Sequence, residues 1–160
     1  MWLVQVLLGL RPQLTQEVRE AAQAASPAST TLGAVDVPLV LARLDALMRG
    51  QHRYRDPALS LAALAQELGL GAHQLSELVN TRLGKGFSRY LREQRIEAAK
   101  AMLMAERSAS VLSVGLAVGF ASQSNFYEAF REIEGMAPGR YRKLAVEGVP
   151  PHAQDSIPVS

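Results

Sequence analysis

The chain repeats itself. Ser60, Leu61, Leu64, Leu68, Gly69 and Leu70 recur 50 positions later as Ser110, Val111, Val114, Val118, Gly119 and Phe120. One residue is then inserted and the offset becomes 51: Leu75, Leu78, Val79 and Gly84 return as Phe126, Ala129, Phe130 and Gly135, and Arg89-Tyr90 returns as Arg140-Tyr141. Chance can supply apolar matches. It is a poorer source of two glycine pairs and an Arg-Tyr pair in register, so the pattern marks a duplicated unit. Each unit reads as a serine-capped helix, a glycine-containing turn and a second amphipathic helix. That grammar is a helix-turn-helix, although helical hairpins are common and the exposed faces must carry any functional argument.

The remaining periodicity is helical, with almost no strand signal, and predicts an all-α fold: two helix-turn-helix subdomains joined by a long linker helix. The first subdomain covers about 60–83, the linker helix about 87–106 and the second subdomain about 110–134, within a domain over 51–144. Upstream, residues 13–50 hold an Ala/Gln/Glu-rich stretch, a linker from Ser26 to Thr31, and a helix opened by Asp36 and Pro38. That helix carries a Leu41, Leu44, Leu47 and Met48 stripe and stops at Gly50. Residues 145–160 lack periodicity and read as a flexible tail. Residues 1–12 begin with the apolar run MWLVQVLLGL, well short of the ~20 residues that span a bilayer.

Composition narrows the chemistry. With no cysteine and only His52, His73 and His152, the chain offers no thiol catalysis and no credible metal cluster. No nucleophile elbow, phosphate loop or paired carboxylates stand out, so no enzyme and no cofactor are expected. The net charge of +2 is unevenly placed: residues 51–143 hold 13 Lys/Arg against 9 Asp/Glu. A mildly basic central region suits an anionic partner, and suits an ordinary solvated surface equally well.

The outer faces of the two second helices favour double-stranded DNA. Opposite Leu75, Leu78 and Val79 lie His73, Gln74, Glu77, Asn80 and Thr81; opposite Phe126, Ala129 and Phe130 lie Gln123, Ser124, Tyr127, Glu128 and Arg131. Both faces begin with short hydrogen-bonding side chains at the end of the helix that reaches base edges in a major groove. Arg82, Lys85, Arg89, Arg92, Arg131, Arg140 and Arg142 flank these helices and are assigned to phosphates, with Ser122 and Asn125 at the second helix entrance. A linker helix of about 28 Å could hold two reading helices near the ~34 Å repeat of successive major-groove faces.

These residues resemble the AraC/XylS family of bacterial transcription regulators, over roughly Leu59 to Lys143. The more specific match is GFASQSNFYEAFRE followed by GMAPGRYRK; LAALAQELGLGAHQLSELVN and RIEAAKAML are also similar to the family pattern. The resemblance implies two helix-turn-helix subdomains on a linker helix, acting as a promoter-binding activator in the cytoplasm with RNA polymerase as partner. Carried over by position, it points to His73, Ser76 and Glu77 in the first reading head, and to Gln123, Ser124, Tyr127 and Glu128 in the second. Two departures stand out. Gly115 occupies a packed helical position where the family usually has alanine, a loss of about 1 kcal/mol of helix preference. Glu77 and Glu128 both turn carboxylates toward the expected groove, where they accept from cytosine N4 or else repel phosphate. Modest affinity and a need for dimerisation, tethering or polymerase contact follow.

The sequence is compatible with two origins and two functions. HQLSELVN and the apolar run ending in Gly-Leu-Arg-Pro are similar to a subgroup with a multi-span membrane sensor, which makes residues 1–10 the end of a last span and the chain a fragment; the alternative is a short stand-alone regulator. The functional alternative is a helical interaction or homodimerisation module, using the Leu41/Leu44/Leu47 stripe, without specific DNA binding.

Overall fold

Side-chain and backbone caps set the helix boundaries. The computed structural model describes residues 31–148, which contain seven α-helices and no strand. Helix α1 (Val37–Asp45) starts where the Asp36 carboxylate accepts from the Leu39 N–H at 3.1 Å, and it runs into a wider π-helical turn over Ala46–Gly50. A 3₁₀ turn, Arg53–Arg55, follows. Helices α2 (Leu61–Leu68), α5 (Val111–Ala117) and α6 (Gln123–Glu134) open on Ser60, Ser110 and Ser122, whose hydroxyls each accept from the backbone N–H three residues on. Helix α3 (Ala72–Leu83) has Gly71 at its N-cap, and α4 (Phe87–Ala105) is the long helix expected from the sequence. Gly69, Gly84 and Gly135 take left-handed backbone angles just past α2, α3 and α6, as the helix-stop pattern demands.

Helix α7 (Pro138–Val146) was not among the elements read from periodicity, and it continues past the boundary at residue 144. Pro138 occupies its first turn, where a missing N–H is harmless, and Tyr141 and Leu144 are its buried contacts.

The described residues form two compact units. The first comprises residues 31–53 and 58–92; the second comprises 54–57 and 93–148. In the first, α1 packs on α2 and α2 on α3, around Leu44, Met48, Leu64, Leu68, Leu75, Leu78 and Val79. In the second, α5 packs on α6 and α6 on α7, with Ile96, Leu103, Val114, Val118, Phe126 and Phe130 fully enclosed. Of the leucine stripe that runs from α1 into the π-helical turn, Leu44 and Met48 are buried, while Leu41 and Leu47 are half-buried.

Two long-range ties build the second unit. Arg95 is buried: its Nε donates to the Tyr54 carbonyl at 2.8 Å and its Nη2 to the Asp56 carbonyl at 2.9 Å. Burial pulls the Arg95 pKa down to about 10, against a smaller upward pull from Asp56, and the guanidinium lies 5.6 Å from the Phe120 ring centroid. Gly119, at φ 101°, touches the same segment from another side: a β-carbon there would stand 2.4 Å from the Tyr54 carbonyl oxygen. Residues 54–57 therefore belong with the second repeat although they precede the first in the chain.

The apolar run of residues 1–10, the 13–25 stretch and the tail from 149 lie outside the described residues. No helix among the described residues is long and apolar enough to cross a membrane.

Candidate nucleic-acid interface

Helix α6 is held from three directions. Phe126 has no exposed surface and sits 5.3 Å from Phe120, 5.7 Å from Phe130 and 6.1 Å from Tyr127, ring centre to ring centre. Phe130 meets Tyr141 of α7 at 5.4 Å. At the far end, buried Glu134 accepts from Lys100 of α4 at 3.1 Å, and Lys100 also reaches Glu97 at 3.0 Å. Burial alone would lower the Lys100 pKa; the hydrogen bonds and charges of Glu97 and Glu134 outweigh it and raise the value. The outward side of α6 is thus a rigid platform carrying Gln123, Ser124, Glu128 and Arg131, all exposed. Tyr127 is half-buried at its edge, with its ring turned edge-on to Phe126.

Ser122 spends its hydroxyl on the helix cap, accepting from the Asn125 N–H at 3.2 Å, and both residues are half-buried. Three uncapped N–H groups remain at this helix start, with the partial positive charge of the helix end behind them.

Helix α3 presents a different surface. His73 is exposed, as expected. Ser76 is only 2% exposed, so its hydroxyl does not stand on the outer face with His73. Position 76 is one turn from the buried Val79, on the flank of the apolar side, which accounts for its burial. Asn80 is half-buried and donates to the Ser76 carbonyl at 2.9 Å, one turn back.

Gln74 and Glu77 are already engaged. Gln74 Oε1 accepts from the Gly71 N–H at 3.0 Å, the return half of a capping box whose other half glycine has no side chain to make, and Gln74 Nε2 donates to the Thr31 carbonyl at 3.1 Å. Glu77 Oε2 accepts from the Thr31 N–H at 3.2 Å and from its hydroxyl at 2.6 Å. By composition Thr31 ends a linker. A contact across 46 positions leaves no local signal that could have revealed it. Arg95 was also missed, and there a signal existed: it interrupts the apolar stripe one turn from both Leu91 and Ala99.

Among the cations assigned to phosphates, Arg82, Arg89, Arg131 and Arg140 are exposed, while Lys85, Arg92 and Arg142 are half-buried. Lys85, Arg89, Arg92 and Arg140 have partners within the chain. Arg142 keeps Nε and one Nη buried without a hydrogen bond.

Residues 64–144 match a family model described as a helix-turn-helix domain. The chain is 36% identical over 84 residues to the "Probable transcriptional regulator LumQ" of Photobacterium leiognathi, covering 52% of this chain and 34% of that protein. It is 31% identical over 90 residues to the melibiose operon regulatory protein of Escherichia coli, covering 56% of this chain and 30% of that one. Its aligned part therefore spans about a third of the length of these relatives. Among solved structures, a transcriptional regulator of the AraC-type DNA-binding-domain class from Chromobacterium violaceum superposes with a TM-score of 0.54 at 26% identity, covering 65% of this chain and 95% of the other. With the duplicated unit, the capped hairpins and the family match in agreement, the chain belongs to the AraC/XylS-type helix-turn-helix family.

Proposed function

We propose that the chain is a sequence-specific, double-stranded-DNA-binding transcription regulator of the activating kind, with α6 as its principal reading helix and α3 as its second. The observation that carries this reading is the platform of α6: a rigid helix with exposed Gln123 and Ser124 in its first turn, where a major-groove reader makes base contacts. Gln123 suits adenine in bidentate pairing, Ser124 suits any base with a donor or acceptor in reach, and Glu128 suits cytosine N4. Arg131 stands exposed for a phosphate. RNA polymerase is the partner an activator requires, and a homodimer would compensate for the low net charge. If a longer parent protein carries further spans before residue 1, the same domain would act tethered to a membrane.

The test is duplex affinity against salt, using sequences selected by the full chain from a randomised pool. A domain using three or four phosphate contacts gives a log–log slope of about −2.7 to −3.6. Failure of the pool to yield any duplex that the chain binds at low salt would sink the reading.

A further inference from the structure

The two repeats use their equivalent glutamates differently. Glu128 of α6 is exposed; Glu77 of α3, 51 positions earlier, is half-buried beneath Thr31. Glu77 lies opposite the buried Leu75 and Val79, at the middle of the outward side of α3. Three hydrogen bonds join the Thr31 backbone and hydroxyl to Gln74 and Glu77, one of them a short bond to a carboxylate oxygen. The segment is anchored further along. Val35 N–H closes a turn on the Leu32 carbonyl at 2.9 Å, Leu32 is 8% exposed, and Asp36 then caps α1. Beside the turn, Leu32, Gly33 and Val37 form one wall of an open cleft of about 470 Å³ whose other wall is Glu77, Thr81 and Arg82.

A groove wall and the 31–37 segment cannot occupy the same side of α3. From this, and resting on the DNA-binding reading above, we infer that residues 31–36 are a latch on the first reading helix. Closed, the latch holds the Glu77 carboxylate and the Gln74 amide on Thr31 and leaves α6 as the only uncovered reading helix. Docking of α3 into a groove requires the turn to lift. The latch is part of the stretch that leads into α1, so anything that pulls on the chain ahead of Thr31, or binds it, acts directly on the reading surface of α3. The turn has a second consequence for recognition: while it is closed, Glu77 cannot select cytosine, and specificity comes from α6.

Thr31→Ala removes the hydroxyl donor and leaves the fold-bearing Leu32 in place; Thr31→Ser keeps the donor. With a duplex selected by the full wild-type chain as probe, Thr31→Ala binds more tightly, by about tenfold, the weight of one hydrogen bond to a charged acceptor. Thr31→Ser stays near wild type, and Leu32→Ala, which loosens the same turn without touching Glu77, moves affinity in the Thr31→Ala direction. Amide hydrogen exchange over residues 31–36 of the wild-type chain speeds up when the duplex is added. Unchanged or weaker binding by Thr31→Ala, or amides that stay protected in the complex, overturns the latch while leaving DNA binding intact. Failure of every form to bind duplex at low salt overturns the DNA reading, and the latch with it.

Discussion

Phe126 lies directly over Gly115. A β-carbon on Gly115 would stand 2.6 Å from Phe126 Cδ1 and 2.8 Å from Cγ, closer than real carbon contacts allow. What reads in the sequence as a weak point in α5 is therefore the condition for α5 and α6 to approach so closely, and for Phe126 to vanish from the surface.

Gly115→Ala should accordingly destabilise the protein despite its better helix propensity. Alanine gains about 1 kcal/mol of preference in the helix. Overpacking against an aromatic ring with no free space costs about 1–3 kcal/mol, and the clash exceeds a simple methylene insertion. Urea melts should show a net loss of about 1–2 kcal/mol. A melting midpoint at or above wild type would mean the ring has room to move.

Gly69 and Gly119 are counterparts in the repeat, yet they should respond differently to alanine. Both have positive φ, 73° and 101°, but a β-carbon at Gly69 meets nothing within 4 Å, whereas at Gly119 it meets the Tyr54 and Arg55 carbonyl oxygens at 2.4 and 2.9 Å. Gly69→Ala should cost about 1–2 kcal/mol, the strain of a left-handed residue alone. Gly119→Ala should exceed that by at least about 2 kcal/mol, because backbone held by Arg95 has to move as well. Equal losses in parallel thermal melts would contradict the packing described for residues 54–57.

Tyr90 gives the fold an alkaline weakness. Burial, with help from the Asp45 carboxylate and against Arg49, pushes its pKa up to about 12. In the unfolded chain a tyrosine ionises near pH ~10. Between those values the unfolded state sheds a proton that the folded state retains, so stability falls as pH rises through that window. Tyr90→Phe should flatten the fall between pH ~10 and ~12 while changing little at pH ~7. Identical pH profiles for the two proteins would show that Tyr90 does not titrate differently on folding.

Gln123 and Ser76 separate a reading group from a packing group. Gln123→Ala should lower affinity for a selected duplex by about 1–3 kcal/mol and relax preference at a single base pair. Ser76→Ala, at a position only 2% exposed, should leave both affinity and preference unchanged. Loss of binding on every sequence alike would recast Gln123 as a phosphate contact.

Much of the fold was legible because its signals are local. Ser60, Ser110 and Ser122 cap helices through contacts three residues away, and Gly69, Gly84 and Gly135 stop them through their own backbone angles. The apolar repeat at three and four residues is enough to place Leu75, Leu78, Val79, Phe126 and Phe130 inside. Interactions within one or two turns depend on few neighbours, so residue order alone determines them. Tertiary structure decided what depends on distant partners. Thr31 and Glu77, 46 positions apart, make one outward face unlike its repeat; Arg95 carries residues 54–57 into the second unit; Phe126 makes glycine fitting at 115. Only the folded chain brings such partners together, and a buried or bridging polar group is stable only where its partner is in place.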